Sequence, residues 1–208
     1  MVRKTIAQSV YFSGNGDGYK FEQNMTLDIN GRPNSFNAPV SNAECTKRVY
    51  RAKFGNGIDH VKVYYAAELD AIDSADRLIE FKTTMLREIK WLERLSLSHY
   101  LQAFFGGVPI IVYGHKKFQM NVKHYDNHII DRVSRKDVSE IPLKARHQWN
   151  LSDRMNTMFD TLKTIKDMLP HDDKAILVRI RHGKLNEYIE EPVEDCNFVN
   201  DDFLDFFT

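Results

Sequence analysis

Apolar and polar residues alternate with a period of two over three stretches in the first half of the chain. Residues 44–54 (ECTKRVYRAKF) and 58–70 (IDHVKVYYAAELD) flank Gly55-Asn56-Gly57 and read as the arms of a hairpin. Residues 77–83 (RLIEFKT) form the third alternating stretch. The period then lengthens. Leu86, Ile89, Leu92 and Leu95 are spaced by three, and Leu101, Phe104 and Phe105 extend that stripe. The spacing predicts one long amphipathic helix over 85–105, stopped by Gly106-Gly107. Val108 to Val112 (VPIIV) is apolar throughout, as in a strand buried on both faces. Residues 117–124 are a further strand candidate, and residues 125–147 follow neither period. Leu151 to Leu169 predicts a second helix, capped by Asn150 or Ser152 and ended by Pro170. Residues 174–181 and 184–190 flank His182-Gly183 and read as a second hairpin. Near the start, Ser13 to Gly18 is a loop, with Asp17 able to cap a helix beginning near Gly18. Residues 28–42 form a turn-rich loop. Strands before and after long helices predict an α+β fold, a mixed β-sheet flanked by helices, in a single domain over 1–208.

Composition narrows the class. The chain has 208 residues, 42% hydrophobic and 28% charged, which is ordinary globular composition and excludes collagen-like or low-complexity structure. No apolar run approaches the roughly 20 residues of a membrane span, so no membrane association is expected. Met1-Val2-Arg3-Lys4 lacks the features of a signal peptide. Cys45 and Cys196 stand far apart with no CxxC, which points to a reducing compartment and away from a zinc site.

The net charge is zero, but it is unevenly placed. Residues 82–146 carry twelve basic and six acidic side chains, whereas residues 187–208 carry eight acidic and no basic ones. A neutral chain is poorly suited to sequence-blind coating of a duplex, which draws affinity from phosphate neutralisation. A local basic groove for a short strand remains compatible with this pattern.

The chemistry concentrates in Glu68-Leu69-Asp70, followed after nine intervening residues by Glu80-Phe81-Lys82. On a strand, alternate side chains share a face, so Glu68 and Asp70 point together, as do Glu80 and Lys82. Residues 71–79 are long enough to turn between two paired strands, which would gather three carboxylates and one ammonium. Carboxylates that close repel one another unless a cation sits among them. Oxygen-only ligands favour Mg²⁺ or Mn²⁺, and a lysine beside the metal can hold the attacking water. The competing reading of these residues is an exposed strand face with Glu–Lys pairs. The spacing resembles the D-x(n)-ExK core of restriction-nuclease-like enzymes.

Four segments in order, Gly18-Tyr19-Lys20-Phe21-Glu22-Gln23, Glu68-Leu69-Asp70-Ala71-Ile72-Asp73, Glu80-Phe81-Lys82-Thr83 and Gln102-Ala103-Phe104-Phe105-Gly106-Gly107-Val108-Pro109, resemble the decapping exoribonucleases, DXO and its fungal Rai-type relatives. Gln148-Trp149-Asn150 and Leu177 to Lys184 extend the resemblance downstream. It covers the C-terminal part of the family's pattern, whose members are nearly twice as long. Their N-terminal portion, with an arginine motif near the 5′-end pocket, has no counterpart here, which leaves a short member or a fragment as the alternatives.

The resemblance implies a metal-dependent hydrolase of RNA 5′ ends. Such enzymes remove incomplete caps, pyrophosphate or NAD-type caps, and many also degrade RNA 5′ to 3′. It implies Glu22, Asp70 and Glu80 as metal ligands, with Glu68 as a ligand or as the residue orienting a water. The main-chain carbonyl of Phe81 would be a further ligand, and two ions would act together. Lys82 and Gln102 would position the water and the scissile phosphate. Glu22 and Gln102 enter only through the resemblance. Arg51 and Lys53 share one face of a strand and are candidates for RNA phosphate contacts or for cross-strand salt bridges. Tyr19 is a candidate base-stacking or packing residue, and His124 and His128 carry little metal-binding signal. The resemblance implies RNA 5′ ends and a 5′–3′ exoribonuclease as partners, and a nuclear or cytoplasmic location. The reading from a different class is a catalytically weak or inactive relative that binds RNA or an exoribonuclease; a narrower alternative is a DNA nuclease on the same core.

Overall fold

The structure is a computed structural model, described over residues 16–28, 30–35, 46–117, 129–169, 174–181 and 184–192. The expected loop at 13–15, the strand candidate at 118–124, His124, His128, both cysteines and the acidic end beyond 192 lie outside these residues. The element order is α1 (Gly16–Met25), β1 (Thr46–Asn56), β2 (Asp59–Leu69), β3 (Ala71–Ile72), β4 (Leu78–Thr84), α2 (Glu88–Arg94), α3 (Ser96–Phe105), β5 (Ile110–Lys116) and β6 (Ile130–Asp137). A 3-10 turn (Val138–Glu140), α4 (Ile141–Lys144), α5 (Leu151–Met168), β7 (Lys174–Arg181) and β8 (Lys184–Pro192) complete it. The chain divides into two compact units, one drawn from Met1–Arg51 and Tyr64–Leu151, the other from Ala52–Val63 and Ser152–Thr208. Among the described residues, no helix is long and apolar enough to cross a membrane.

The first unit is built on a four-stranded mixed sheet in the order β3-β4-β5-β6. β4 and β5 are parallel, while β3 and β6 run antiparallel to their neighbours. The apolar VPIIV run behaves as its composition demands, for Ile110 and Ile111 are almost completely buried in the central strand β5. One face is covered by α2 and α3, whose Trp91, Tyr100 and Ala103 join Ile111, Tyr113, Ile141 and Trp149 in the main core. On the other face Ile79 and Ile110 form a smaller core with Phe81 and Val112 packed against it. There Phe21 of α1 meets the Phe81 ring edge-on at 5.8 Å.

Two expectations change in the structure. β2 does not pair with β4. It pairs with β1, and the chain then continues through Asp70 into the two-residue strand β3, which pairs with β4. A tight turn makes this possible: Asp73 Oδ1 accepts from the amides of Ala75 (2.9 Å) and Arg77 (3.0 Å). Asp76 adopts a positive φ of 58° within it. The Arg77 guanidinium and amide together hold the Asp73 carboxyl down at about 2.

The long helix is also two helices. Leu95 leaves helical geometry at φ −121°, ψ −19°. The fully buried Ser96 gives its hydroxyl to the Leu92 carbonyl (2.6 Å) and receives the Trp149 indole N–H (2.8 Å). Back-bonding to the i−4 carbonyl of this kind bends helices. The break shifts the buried face away from the spacing-by-three stripe. Trp91 is buried, while Ile89 is 70% exposed and Phe104 47% exposed. A strict spacing of three drifts off a 3.6-residue turn, so the stripe could not have stayed on one face. Trp149 is a packing anchor, its ring 5.5 Å from that of Tyr100.

In the second unit, the β1–β2 turn falls at Gly57-Ile58, two residues later than its sequence signal. Gly55 lies within β1 at φ +98°, and a Cβ there would stand 2.4 Å from the Asp59 carbonyl oxygen and 2.6 Å from the Phe159 ring. Gly57 also has a positive φ but open space around it. Gly55→Ala is therefore expected to destabilise by about 2 kcal/mol or more, and Gly57→Ala by about 1 kcal/mol, in chemical denaturation. Equal losses would show that φ alone, and not the crowding, sets the requirement.

Candidate active site

The site forms where β4 carries Glu80 and Lys82 under α3. Their alternation puts both on the helix-covered face of the sheet. Glu80 is 2% exposed. Its Oε1 accepts from the Gln102 side-chain amide at 2.7 Å and from the Lys82 ammonium. Asp70, half-buried at the junction of β2 and β3, accepts the Phe81 amide N–H on Oδ2 at 2.7 Å. The amide and carbonyl of one strand residue leave the same edge, so the Phe81 carbonyl projects to the Asp70 side. Glu22 is buried on α1.

Charge explains what these groups do to one another. Burial pushes the Glu80 carboxyl up to about 7, the negative charge of Asp70 adds to this, and Glu22 contributes less; Lys82 opposes the rise. Two further acids, Asp70 at the β2–β3 junction and Glu22 on α1, therefore act on one buried carboxylate, and such a site favours a cation. Glu68 is exposed near the end of β2. Arg51 and Lys53 are exposed on one face of β1, and they fall in different compact units. Tyr19 is half-buried on α1.

The helix bearing Gln102 is fixed at its C-terminus. Tyr65 donates its hydroxyl to the Phe105 carbonyl (3.1 Å), and Tyr50 donates to the Gly106 carbonyl. The two tyrosine rings stack at 5.3 Å. These bonds satisfy carbonyls that a helix end leaves without intrahelical partners. Gly107 completes the turn at φ +64°. On the opposite face, Gly114 leaves room for Phe21, for a Cβ there would lie 2.8 Å from the Phe21 ring. That contact seats α1 and hence Glu22.

Sequence reasoning missed the layer behind Lys82. His99 lies one helical turn before Gln102, and Tyr113 is the register partner of Lys82 on β5. His99 Nδ1 is 3.2 Å from the Trp91 indole nitrogen and 3.0 Å from the Tyr113 hydroxyl. Indole N–H can only donate, so His99 Nδ1 is an acceptor. Burial and then the Lys82 charge push His99 down to about 4, which keeps it neutral. The available signal was the i, i+3 spacing of His99 and Gln102, which only a known helix register makes readable.

The donor set suits a hard divalent cation, since it is made of carboxylates and a carbonyl. Among the described residues, however, no three His, Cys, Asp or Glu side chains converge as a ready-made metal cage. The Glu80 and Asp70 oxygens engage protein N–H groups instead. Without metal, the raised Glu80 pKa has a definite pH signature. The unfolded chain releases this proton near 4.5 and the folded one near 7. Its contribution to stability is therefore fully present below the lower value and is lost as pH rises through the upper one. In EDTA, Glu80→Gln is expected to flatten this fall and to raise stability at pH 8 by on the order of 2 kcal/mol. An unchanged pH profile in denaturation would show that Glu80 is not the strained acid.

Residues 15–204 match the family described as RAI1 like PD-(D/E)XK nuclease. Decapping nuclease dom-3 of Caenorhabditis elegans is 24% identical over 206 residues, covering 91% of this chain and 49% of that protein. The crystal structure of Scheffersomyces stipitis Rai1 aligns with a TM-score of 0.64 at 20% identity, over 89% of this chain and 52% of that one. Candida albicans Rai1 in complex with pU5-Mn²⁺ aligns with a TM-score of 0.63 at 18% identity, over 89% and 53% of the two chains. The chain thus spans about half the length of the relatives it matches. The likeness to these structures carries the mixed α+β fold, and the match over 15–204 carries the family. The chain belongs to the RAI1-like PD-(D/E)XK nuclease family.

Proposed function

We propose that this chain is a divalent-metal-dependent hydrolase of RNA 5′ ends. Its activity would be decapping, pyrophosphohydrolysis or NAD-cap removal, with 5′–3′ exoribonuclease action as a further activity. The observation that carries this reading is the buried Glu80, held by Lys82 and Gln102 and raised by Asp70 and Glu22. Family membership supports nuclease chemistry. The name of the dom-3 relative supports decapping, and the pU5-Mn²⁺ complex of the Candida protein supports RNA and a divalent ion.

Glu22, Asp70, Glu80 and the Phe81 carbonyl would hold Mg²⁺ or Mn²⁺, in one or two ions, with Glu68 joining directly or orienting a water. Bound there, the ion lowers the pKa of water and offsets charge building on the phosphoryl group. Lys82 would orient the attacking water and stabilise the phosphoryl oxygens, and its neighbour His99, held neutral, adds no second positive charge beside it. The Gln102 amide donates into the same point and can exchange the Glu80 oxygen for a substrate oxygen. Water oxygen bonds to phosphorus as the bond to the leaving oxygen breaks, and a proton passes to that leaving group. Arg51 and Lys53 are proposed phosphate contacts.

A binding module without turnover is the second reading, with an RNA end or a 5′–3′ exoribonuclease as its partner. The hydrogen bonds that already occupy Glu80 Oε1 favour it, because that oxygen is satisfied by Lys82 and Gln102 without a metal. RNAs bearing 5′-monophosphate, triphosphate, unmethylated cap or NAD, incubated with Mn²⁺ or EDTA, separate the two. Metal-dependent release, abolished in Glu80→Ala and Asp70→Ala, is the expected result. Absence of release from every substrate would favour the binding module. Lys82→Ala is expected to lower kcat by about a hundredfold or more with a smaller change in KM. A change confined to KM would make Lys82 a phosphate contact only.

A further inference from the structure

Two side-chain hydrogen bonds among the described residues run from α3 to the four-stranded sheet. One reaches β4, where the Gln102 amide donates to Glu80 Oε1 at 2.7 Å. The other reaches β5, where the Tyr113 hydroxyl lies 3.0 Å from His99 Nδ1. His99 and Gln102 stand three residues apart in α3 and so share one face of the helix. Tyr113 and Lys82 are register partners on the parallel strands β5 and β4. The first bond belongs to the acid cluster, and the second stands outside it.

The bond to β5 is backed on every side. Tyr113 is completely buried in its strand, where a hydroxyl needs a partner. The Trp91 indole N–H reaches the same ring nitrogen of His99 at 3.2 Å and can only donate. His99 Nδ1 is thereby the acceptor, and the Tyr113 hydroxyl donates to it. The Trp91 ring packs edge-on against Tyr113 at 5.5 Å. The Lys136 ammonium covers Trp91 at 4.6 Å from its ring centroid and pairs with Glu88 at 2.7 Å. Trp91, His99 and Tyr113 hold none of the acids that act on Glu80, so a cation arriving there leaves their donors and acceptor unchanged.

The bond to β4 has a different fate. In the structure the Gln102 amide is engaged by Glu80. To serve the reaction it must turn from that oxygen to one on the substrate. The link between α3 and β4 is then lost at the step for which Gln102 has to be in place. The ends of α3 are held from elsewhere, Ser96 by Trp149 and the last carbonyls by Tyr50 and Tyr65. Trp149, Tyr50 and Tyr65 all lie outside the four-stranded sheet. With Gln102 released, the His99–Tyr113 bond still ties the middle of α3 to that sheet.

We infer that His99 and Tyr113 are positioning residues for Gln102: their hydrogen bond holds α3 over the sheet while the Gln102 amide passes from Glu80 to the substrate. The inference rests on the RNA 5′-end reading, in which Gln102 meets a substrate oxygen. A reacting group displaced by about 1 Å can lower the rate by roughly a hundredfold, so such a strut acts on turnover more than on binding.

Turnover and helix protection are measured separately, so that the two readings can fail separately. Tyr113→Phe removes the hydroxyl and keeps the ring. His99→Leu removes the acceptor, and His99→Asn restores an acceptor oxygen close to the Nδ1 position. On an RNA that wild type hydrolyses in Mn²⁺, Tyr113→Phe and His99→Leu are expected to lower kcat about tenfold with KM within about twofold. His99→Asn is expected to recover most of that loss. In a Gln102→Ala background Tyr113→Phe is expected to have no further effect, because its action passes through Gln102. The same factor lost in both backgrounds would mark a merely structural bond and overturn the inference. Amide hydrogen exchange over residues 96–105 needs no turnover. Tyr113→Phe is expected to speed exchange there about tenfold in Mn²⁺, which competes with Gln102 for Glu80, and much less in EDTA. Equal acceleration in both conditions, or none in either, would also overturn the inference. A wild-type protein that releases nothing from any RNA, with the Mn²⁺-dependent acceleration present in Tyr113→Phe, would sustain the strut and sink the hydrolase reading.

Discussion

A buried carboxylate that its surroundings do not want ionised is the constraint on which this site depends. Glu80 sits on a central strand, almost out of reach of water, with two further acids acting on it. Burying an unpaired charge is among the costliest things a fold can do. The cost is met locally, because the Lys82 ammonium and the Gln102 amide both reach the same oxygen. Lys82 arrives by strand alternation alone. Gln102 arrives from another element, so its position demands that α3 be fixed against the sheet.

Much of the first unit can be understood as meeting that demand. The helix break at Leu95 lets α3 take its own angle, and Ser96 satisfies the carbonyl that the break exposes. Tyr50 and Tyr65, stacked on one another, secure the far end of α3 through its last carbonyls. On the other side of the sheet, the absence of a side chain at Gly114 lets Phe21 approach, and α1 brings Glu22 with it. Residues distant in sequence, and none of them ionisable at neutral pH, thus set where the charged groups stand.

What the sequence makes legible follows from how local each signal is. Strand alternation placed Glu80 and Lys82 on one face, because a period of two survives any tertiary context. The apolar VPIIV run announced a central strand for another local reason, because an unbroken apolar run must be covered on both faces. The β1–β2 hairpin was readable from its two alternating arms and the glycines between them, but the pairing of β4 with β3 in place of β2 was not, since Asp70 serves the site from a junction and the two-residue β3 is too short to leave a pattern. The single long helix over 85–105 was a misreading of three-residue spacing; the break depends on Ser96 meeting Trp149, fifty-three residues away. His99 and Tyr113 escaped for a related reason. Each is polar chemistry whose partner lies on a neighbouring strand or helix, and one sequence carries no trace of register between them.

The two donors that neutralise Glu80 are also the two best placed to meet water and phosphate. Stability of the metal-free fold and reactivity of the site therefore draw on the same hydrogen bonds. A cation entering among the acids would take over the neutralising role and free the ammonium and the amide for substrate. Any change that strengthens the Lys82–Glu80–Gln102 network would steady the fold and at the same time withhold those donors from the reaction. That opposition between stability and activity is common where function needs a strained group. It explains why so polar a cluster persists inside a sheet whose neighbouring positions are filled by isoleucine, leucine and phenylalanine.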